Sequence, residues 1–436
     1  MVGTAITYCL LFISLYFEIF LLVAFLQRRF ERTAPRSAAA ALASYPSVAI
    51  VVPCYNEEKT VSSTILSLLE LEYPKDKLEI IVVDDGSRDK TLEIAQGIAA
   101  SEDAKIFSSK ELWSSGASAV DEKFSHPRAR ISVYHKENGG KHTAMNYALE
   151  RTSADLIGCL DADSIVAPDA LLRVAPIFDN ATVSAVTPGI HVKEARNMLQ
   201  HMQKVEYRLS IFNRFMLAAL GSAFITPGPF SIFRASVVRD LGGWRHGHST
   251  EDMEMALRMQ SAGFLIANAP KAVVHTGIPR TLKHLFRQRV RWTYGFLRNA
   301  IDYRKMIGNR SYGNLSILIL PTALISIAAG IYFFARVVYY FSLSLSHAIT
   351  RIQVTGALPH PSFDLFYLNT SALWFLIFAA VGLILVLISA GSYIGTGSRR
   401  PPIGTPLFVI FYSFLVPLWL SAAVVRAMFK TGVRWR

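Results

Sequence analysis

Cysteine is scarce in this chain, and so is charge. Three cysteines occur in 436 residues, Cys9, Cys54 and Cys159, and no two of them form a CxxC pair. That excludes a disulfide-stapled scaffold and a zinc ribbon, which both need closely spaced cysteines. Charged residues make up 18% of the chain, against about 25% in an ordinary soluble domain. With 52% hydrophobic residues, the chain is neither disordered nor a coiled coil. A GxxxxGK[ST] phosphate loop, a solenoid-type repeat and a nucleic-acid-binding motif are also missing.

The charge that is present is one-sided. Lys and Arg number 45 against 32 Asp and Glu, a net charge of +13. The basic residues concentrate beside apolar stretches, which points to a membrane surface and not to nucleic acid. The apolar residues are blocked. Residues 4–26 form one run with a single charge, Glu18, and Arg28, Arg29 and Arg32 follow it. Three further runs cover residues 314–345, 369–390 and 405–428, and nothing between 47 and 312 is long and apolar enough to span. A span needs about 20 apolar residues. The first run is too long for a signal peptide, and its basic residues follow it instead of preceding it. The positive-inside rule then places the central block in the cytoplasm. The third run returns the chain inward, with Arg399 and Arg400 in agreement. The last leaves Arg426, Lys430, Arg434 and Arg436 outside, against the rule. Arg336 lies within a span and is expected to face protein or water.

The expected organisation is residues 1–34 as a membrane helix and linker, 35–300 as a cytosolic domain, and 301–436 as a membrane region of about three helices. Residues 35–45 are Ala/Ser-rich and read as a linker, and the Ser-rich segment 102–126 as a loop or insertion. Within the central block, strand-length apolar runs at 48–52, 78–83, 129–135 and 155–160 alternate with helical patterns at 60–71, 91–100 and 143–151. This predicts an α/β fold with a mostly parallel sheet and helices on both faces. Such sheets bind ligands at the carboxyl ends of their strands.

Polar and acidic residues follow three of these runs directly: Pro53-Cys54-Tyr55-Asn56-Glu57-Glu58, Asp84-Asp85-Gly86-Ser87, and Asp161-Ala162-Asp163. Any one cluster is explained equally well as a helix N-cap. Three on one sheet edge favour a ligand site. Asp161 and Asp163 would share one side of an extended stretch, a pair of hard oxygen donors for Mg²⁺ or Mn²⁺ beside a diphosphate. Lys141 follows a glycine pair, Gly139-Gly140, and suits either phosphate contact or a plain surface turn. Thr250-Glu251-Asp252 opens a helical run, where the carboxylates either complement the helix dipole or supply a general base. Gln288-Arg289-Val290-Arg291-Trp292 lies in a basic stretch in which Lys283, Arg287 and Arg291 share a helix face. That stretch reads as a membrane-surface helix or as an aromatic–cation platform for a sugar and a diphosphate. Residues 196–220 form a second amphipathic helix, for lipid contact or packing, with Lys204, Arg208 and Arg214 off its apolar stripe.

The ordered set PCYNEE, VDDGSRD, GGKHTAMN, LDAD, TED and QRVRW, set between membrane runs, resembles the membrane-embedded processive family-2 glycosyltransferases. These include hyaluronan, chitin, cellulose and poly-N-acetylglucosamine synthases. The resemblance covers about residues 47–299. It implies a GT-A-type nucleotide-sugar fold, interfacial helices near 195–220 and 280–300, and inverting transfer from a UDP-sugar to a growing β-linked glycan. It implies that Pro53, Tyr55, Glu57, Asp84 or Asp85, and Lys141 hold the donor, with Asp161 and Asp163 on nucleotide and metal. Asp252, with Glu251 beside it, would be catalytic. Gln288, Arg291 and Trp292 would grip the polymer or diphosphate, and Gly228 and Pro229 would line the acceptor site. UDP-N-acetylglucosamine is the first expectation for the donor, with a lipid-linked acceptor receiving one sugar as one alternative and a catalytically inactive membrane scaffold or export partner as a second. Partners are then the donor, the glycan and the bilayer. Accessory subunits or an oligomer stay open, since four spans are few for a complete pore. The TPGPF form around Gly228 departs from the chitin and hyaluronan pattern, and no cellulose-type regulatory domain is recognised, so control by a cyclic dinucleotide is not expected.

Overall fold

The computed structural model describes residues 2–31, 45–100, 129–356 and 372–431. The expected insertion at 102–126 lies outside these, as do the linker up to residue 44, the start of the third apolar run and the basic tail beyond 431. Helix α1 (Val2–Glu31) precedes an alternating block: β1 (Val48–Cys54), α2 (Val61–Leu69), β2 (Leu78–Asp84), α3 (Thr91–Ala100), β3 (Arg130–His135), α4 (Lys141–Leu149) and β4 (Leu156–Cys159). Next come β5 (Ile165–Val166), α5 (Ala170–Val174), β6 (Val183–Val192), α6 (Met198–Ala219), β7 (Ser231–Arg234), α7 (Ala235–Asp240), α8 (Glu251–Ser261), β8 (Leu265–Thr276) and α9 (Leu282–Asp302). The chain closes with α10 (Leu320–Thr355), α11 (Ala372–Thr396), the short α12 (Thr405–Leu407) and α13 (Ser413–Phe429).

One eight-stranded sheet runs in the order β3-β2-β1-β4-β7-β6-β8-β5. The β3-β2-β1-β4 half is parallel throughout, whereas β7 is antiparallel to both its neighbours and β5 to β8. β6 and β8 run parallel to each other. The β-branched run of β1 is buried on both faces, and its period of two divides the core. Val48, Ile50 and Val52 pack with Val61, Ile65 and Leu68 of α2 and Leu171 of α5. Ala49 and Val51 pack with Met145 of α4 and Met255 and Met259 of α8. The strand order turns around at β1, with β2 on one side and β4 on the other. A crevice at the carboxyl ends is the geometric consequence, and ligands bind there in open α/β sheets.

Four helical segments are long and apolar enough to cross a membrane: Gly3–Gln27, Leu315–Thr355, Ala372–Thr396 and Thr405–Phe429. α10 alone has 36 residues, about 54 Å at 1.5 Å each, longer than a hydrocarbon core of about 30 Å. Arg336 on α10 donates to Tyr340 Oη at 2.7 Å, and its guanidinium lies beside Gly3 of α1. It therefore faces protein, as its cost in lipid demands.

The amphipathic stripe of α6 is a packing face. Ile211, Phe212 and Met216 are buried against Leu21 of α1 and Leu387 and Ile394 of α11, and Met202 packs with Trp419 and Ala423 of α13. Met198, at the start of the stripe, stays exposed. The backbones of α6 and α11 approach so closely that a Cβ at Gly391 would collide with the Arg208 carbonyl. Small residues permit such approach between membrane helices. Gly391→Ala is expected to force α11 off α6 at a cost of about 1–3 kcal/mol, seen as a lower thermal midpoint for the detergent-solubilised chain.

Candidate active site

The residues after β1, β2 and β4 converge on one cleft of about 1140 Å³. Pro53, Tyr55 and Glu57 line it after β1, with Glu57 Oε2 accepting from Thr60 Oγ1 at 2.9 Å. The two aspartates after β2 have opposite fates, because adjacent strand residues point to opposite faces. Asp85 lines the cleft. Its carboxylate accepts from Gly139 N at 3.0 Å, Gly140 N at 2.7 Å and Lys136 Nζ at 2.6 Å. Asp84 is fully buried, where its Oδ2 meets His135 Nδ1 at 2.6 Å and accepts from Ser87 N at 3.3 Å. Of the expected Asp84/Asp85 pair, only Asp85 faces the cleft. Gly140 holds a positive φ of 89° at the entry to α4, which turns the chain so that both glycine amides reach Asp85 and Lys141 follows at once.

Lys141 is the centre of the acidic cluster. Its Nζ donates to Asp161 Oδ1 at 2.5 Å and lies 3.7 Å from Glu251 Oε1. Burial alone would lower the ammonium's pKa. The carboxylates, Asp161 foremost, outweigh that and hold it well above its ordinary value. Asp161 and Asp163 sit in a turn, closed by Ser164 N donating to the Asp161 carbonyl at 2.9 Å. They are not on the extended stretch the alternation implied, yet both line the cleft. Burial, followed by the Asp161 charge, pushes Asp163 up to about 6. Asp252 rises to about 6 as well, through burial first and the adjacent Glu251 second. It opens α8, and its carbonyl accepts from Thr226 N and Oγ1 at 3.2 and 2.7 Å, which ties it to the TPGPF loop.

That loop fills the floor of the cleft. Gly228 and Pro229 both line it. A Cβ at Gly228 would lie 2.7 Å from Asp161 Oδ2 and collide with Lys141 Nζ. Phe230 beyond it has a left-handed φ of 60°, as do His248 at 53° and Ser249 at 65°, the last of which lines the cleft. Non-glycine residues pay for that conformation, and such strain collects at functional sites.

From α9, Gln288, Arg289, Arg291 and Trp292 line the cleft. Arg291 Nη1 donates to the Ser249 carbonyl at 2.9 Å. Lys283 and Arg287, expected on the same platform, are exposed and lie away from it. Sequence reasoning passed over several residues that also line the cleft: Arg289, Glu206, Tyr207 and Arg214, and the histidines His142 and His246. Arg289 was in view only as a spacer within QRVRW. Glu206 and Arg214 sat on the polar side of an amphipathic helix, where charge is normally read as solvated.

The donor set fits a divalent cation in part. Among the described residues, no group of three His, Cys, Asp or Glu is arranged to hold a metal. Asp161 and Asp163 nonetheless offer two hard oxygen donors that line the same cleft. Such a pair suits Mg²⁺ or Mn²⁺ that takes its remaining oxygens from phosphates and water. Gly228→Ala is expected to push Lys141 and Asp161 apart and weaken binding of a diphosphate at this lysine about tenfold or more, as a clash in a preformed site does. Calorimetric titration with UDP reads this directly, with an unaltered thermal midpoint as the control for folding.

Comparison with known proteins agrees with this geometry. Residues 156–420 match the family described as Glycosyl transferase family group 2, and residues 49–131 match Glycosyl transferase family 2. The poly-beta-1,6-N-acetyl-D-glucosamine synthase of Staphylococcus epidermidis is 30% identical over 250 residues, 57% of this chain and 54% of that protein. The enzyme of the same name from Staphylococcus aureus is 30% identical over 251 residues, with the same coverage. The chain thus spans about half the length of these curated relatives. Among solved structures, the mannosyltransferase PcManGT from Pyrobaculum calidifontis, in complex with GDP-Man and Mn²⁺, superposes with a TM-score of 0.60 at 17% identity, covering 98% of this chain and 99% of that one. That likeness is one of fold. With the first family matched over more than half of its length, the chain belongs to the family-2 glycosyltransferases.

Proposed function

We propose that this glycosyltransferase moves a sugar from a UDP-sugar, UDP-N-acetylglucosamine first among them, to the growing end of a β-linked polysaccharide. The observation that carries this reading is the placement of a raised carboxylate, Asp252, beside the Lys141–Asp161 pair and Arg291 in one cleft. The names of the relatives support the donor and the polymer. Tyr55, Glu57 and Asp85 would hold the uridine end. Lys141 and Arg291 would counter the diphosphate charge, and Trp292 and Gln288 would seat the acceptor. Pro229 and Gly228 would close the floor beneath it.

The chemistry follows from those positions. An acceptor hydroxyl gives its proton to the Asp252 carboxylate as its oxygen attacks the anomeric carbon. The bond from that carbon to the diphosphate oxygen breaks, and UDP leaves with the electron pair. Attack from the face opposite the leaving group inverts the centre. Mg²⁺ or Mn²⁺ on Asp161 and Asp163 would supply positive charge to the departing diphosphate. The four apolar helical segments would keep the enzyme in the membrane, with residues 35–300 as the cytoplasmic catalytic unit and the helices of 301–436 seating or passing the glycan.

A base works only when deprotonated. With its pKa raised to about 6, Asp252 is protonated below that pH, so turnover should fall about tenfold per pH unit there. Asp252→Asn is expected to cost about 10²–10⁴ in rate. The test of the whole reading is to incubate the membrane-reconstituted chain with a panel of UDP-sugars and size the product. A polymer made from UDP-N-acetylglucosamine supports it. A lipid carrying one sugar would replace it with the lipid-linked alternative.

A further inference from the structure

The start of the last apolar segment is fastened to the wall of the cleft. Glu206, on the inner face of α6, is the fastening point. Its carboxylate takes a two-pronged contact from Arg289: Nη2 to Oε2 at 2.5 Å and Nε to Oε1 at 3.1 Å. Oε2 also accepts from Tyr412 Oη at 2.6 Å, a residue 206 positions away in sequence. On its far side Arg289 donates from Nη1 to Gln288 Oε1 at 2.6 Å, and its guanidinium carbon lies 4.2 Å from the centre of the Trp292 ring. Tyr412, Glu206, Arg289 and Trp292 therefore form one connected chain, and the last three, with Gln288, line the cleft.

Tyr412 is only 3% exposed. It ends a π-helical turn, Phe408–Tyr412, a widened turn often found at functional positions. Its ring stacks on Phe408 at 4.9 Å and meets Trp419 edge-on at 5.5 Å. Eight residues earlier, Gly404 lies against the His201 carbonyl of α6, where a Cβ would come within 2.5 Å. The segment is thus held to α6 at two points, and the second is a charge-assisted hydrogen bond.

We propose that Tyr412 is a positioning residue for glycosyl transfer: through Glu206 it orients Arg289, and with it the Trp292 ring and Gln288 amide that meet the acceptor. This rests on the function proposed above and adds to it how a membrane segment sets the acceptor end of the cleft. The geometry supports the direction of the effect. A guanidinium has a rigid fork of donors, so fixing both carboxylate oxygens of Glu206 fixes the plane of Arg289. That plane in turn fixes the face it presents to Trp292. Without the Tyr412 hydroxyl, Glu206 keeps its two-pronged contact with Arg289 but loses the bond that ties the pair to the last apolar segment.

The test uses the full chain reconstituted in membranes, as wild type, Tyr412→Phe, Glu206→Gln and the double variant. Tyr412→Phe keeps the ring that packs on Phe408 and Trp419, so the thermal midpoint should not move. Expected is an unchanged affinity for UDP, glycan incorporation from UDP-N-acetylglucosamine reduced about tenfold, the order of losing a hydrogen bond to a charged group, and a shorter product. The double variant should be no worse than Glu206→Gln alone, because the hydroxyl acts through that carboxylate. Three results would overturn the proposal: Tyr412→Phe matching the wild type, UDP affinity falling in step with incorporation, or the two single losses adding. Should the wild type transfer one sugar to a lipid instead of making polymer, the function proposed above falls, and the same comparisons on the lipid product still decide the role of Tyr412.

Discussion

Four carboxylates gathered around a single lysine define this molecule. Asp161 and Glu251 lie within reach of Lys141, and Asp163 and Asp252 line the same cleft. Like charges held close and partly withdrawn from water resist ionisation. Burial first, and the neighbouring carboxylates second, push Asp163 and Asp252 each to about 6. Under the function proposed above, the same elevation would let Asp252 act as a base near neutral pH.

Holding mutually repelling groups together demands a stiff support, and the sheet provides it. β1, β2 and β4 are buried on nearly every residue and covered on both faces, so the backbone from which the acids project has little freedom to relax. The remaining walls come from helices that also meet the apolar segments. α6 carries cleft residues on one side and the packing face for α1 and α11 on the other. α9 lies between the cleft and α13, where Leu285, Val290 and Tyr294 pack with Trp419 and Ala423. Catalytic and membrane-type helices therefore share side-chain layers, and a shift in one layer reaches the cleft without any intervening hinge.

Much of the parallel half of the fold was legible because its strands are short apolar runs with chemistry placed directly after them. Residues 48–52 and 78–83 read as buried strands from composition alone, which the structure extends to Cys54 and Asp84, and the recurrence of acids after them favours a shared site over separate helix caps. The other half was not segmented. β6 contains Pro188 and Gly189, and β8 contains Pro270 at the register shift opposite them, so neither resembles a strand in isolation. Gly189 is there because a Cβ would run into the Pro270 carbonyl, a relation visible only once β6 and β8 are paired. Within the site, the choice between Asp84 and Asp85 needed the partner of Asp84, His135, from a neighbouring strand. The Glu206–Arg289–Tyr412 chain joins three distant segments, and no local pattern could announce it. Asp161 and Asp163, expected on one side of an extended backbone, both line the cleft from a turn.

The crowded cluster has one direct measurement. Mn²⁺ binding to the full chain can be followed by electron paramagnetic resonance with and without UDP, in wild type and in Asp163→Ala. Two carboxylates, one of them already engaged by Lys141, make a poor metal site alone and a good one once phosphate oxygens join them. The expected result is tight Mn²⁺ binding that requires UDP and is lost in Asp163→Ala. Mn²⁺ bound equally well without UDP, or UDP-dependent binding that survives Asp163→Ala, would contradict it.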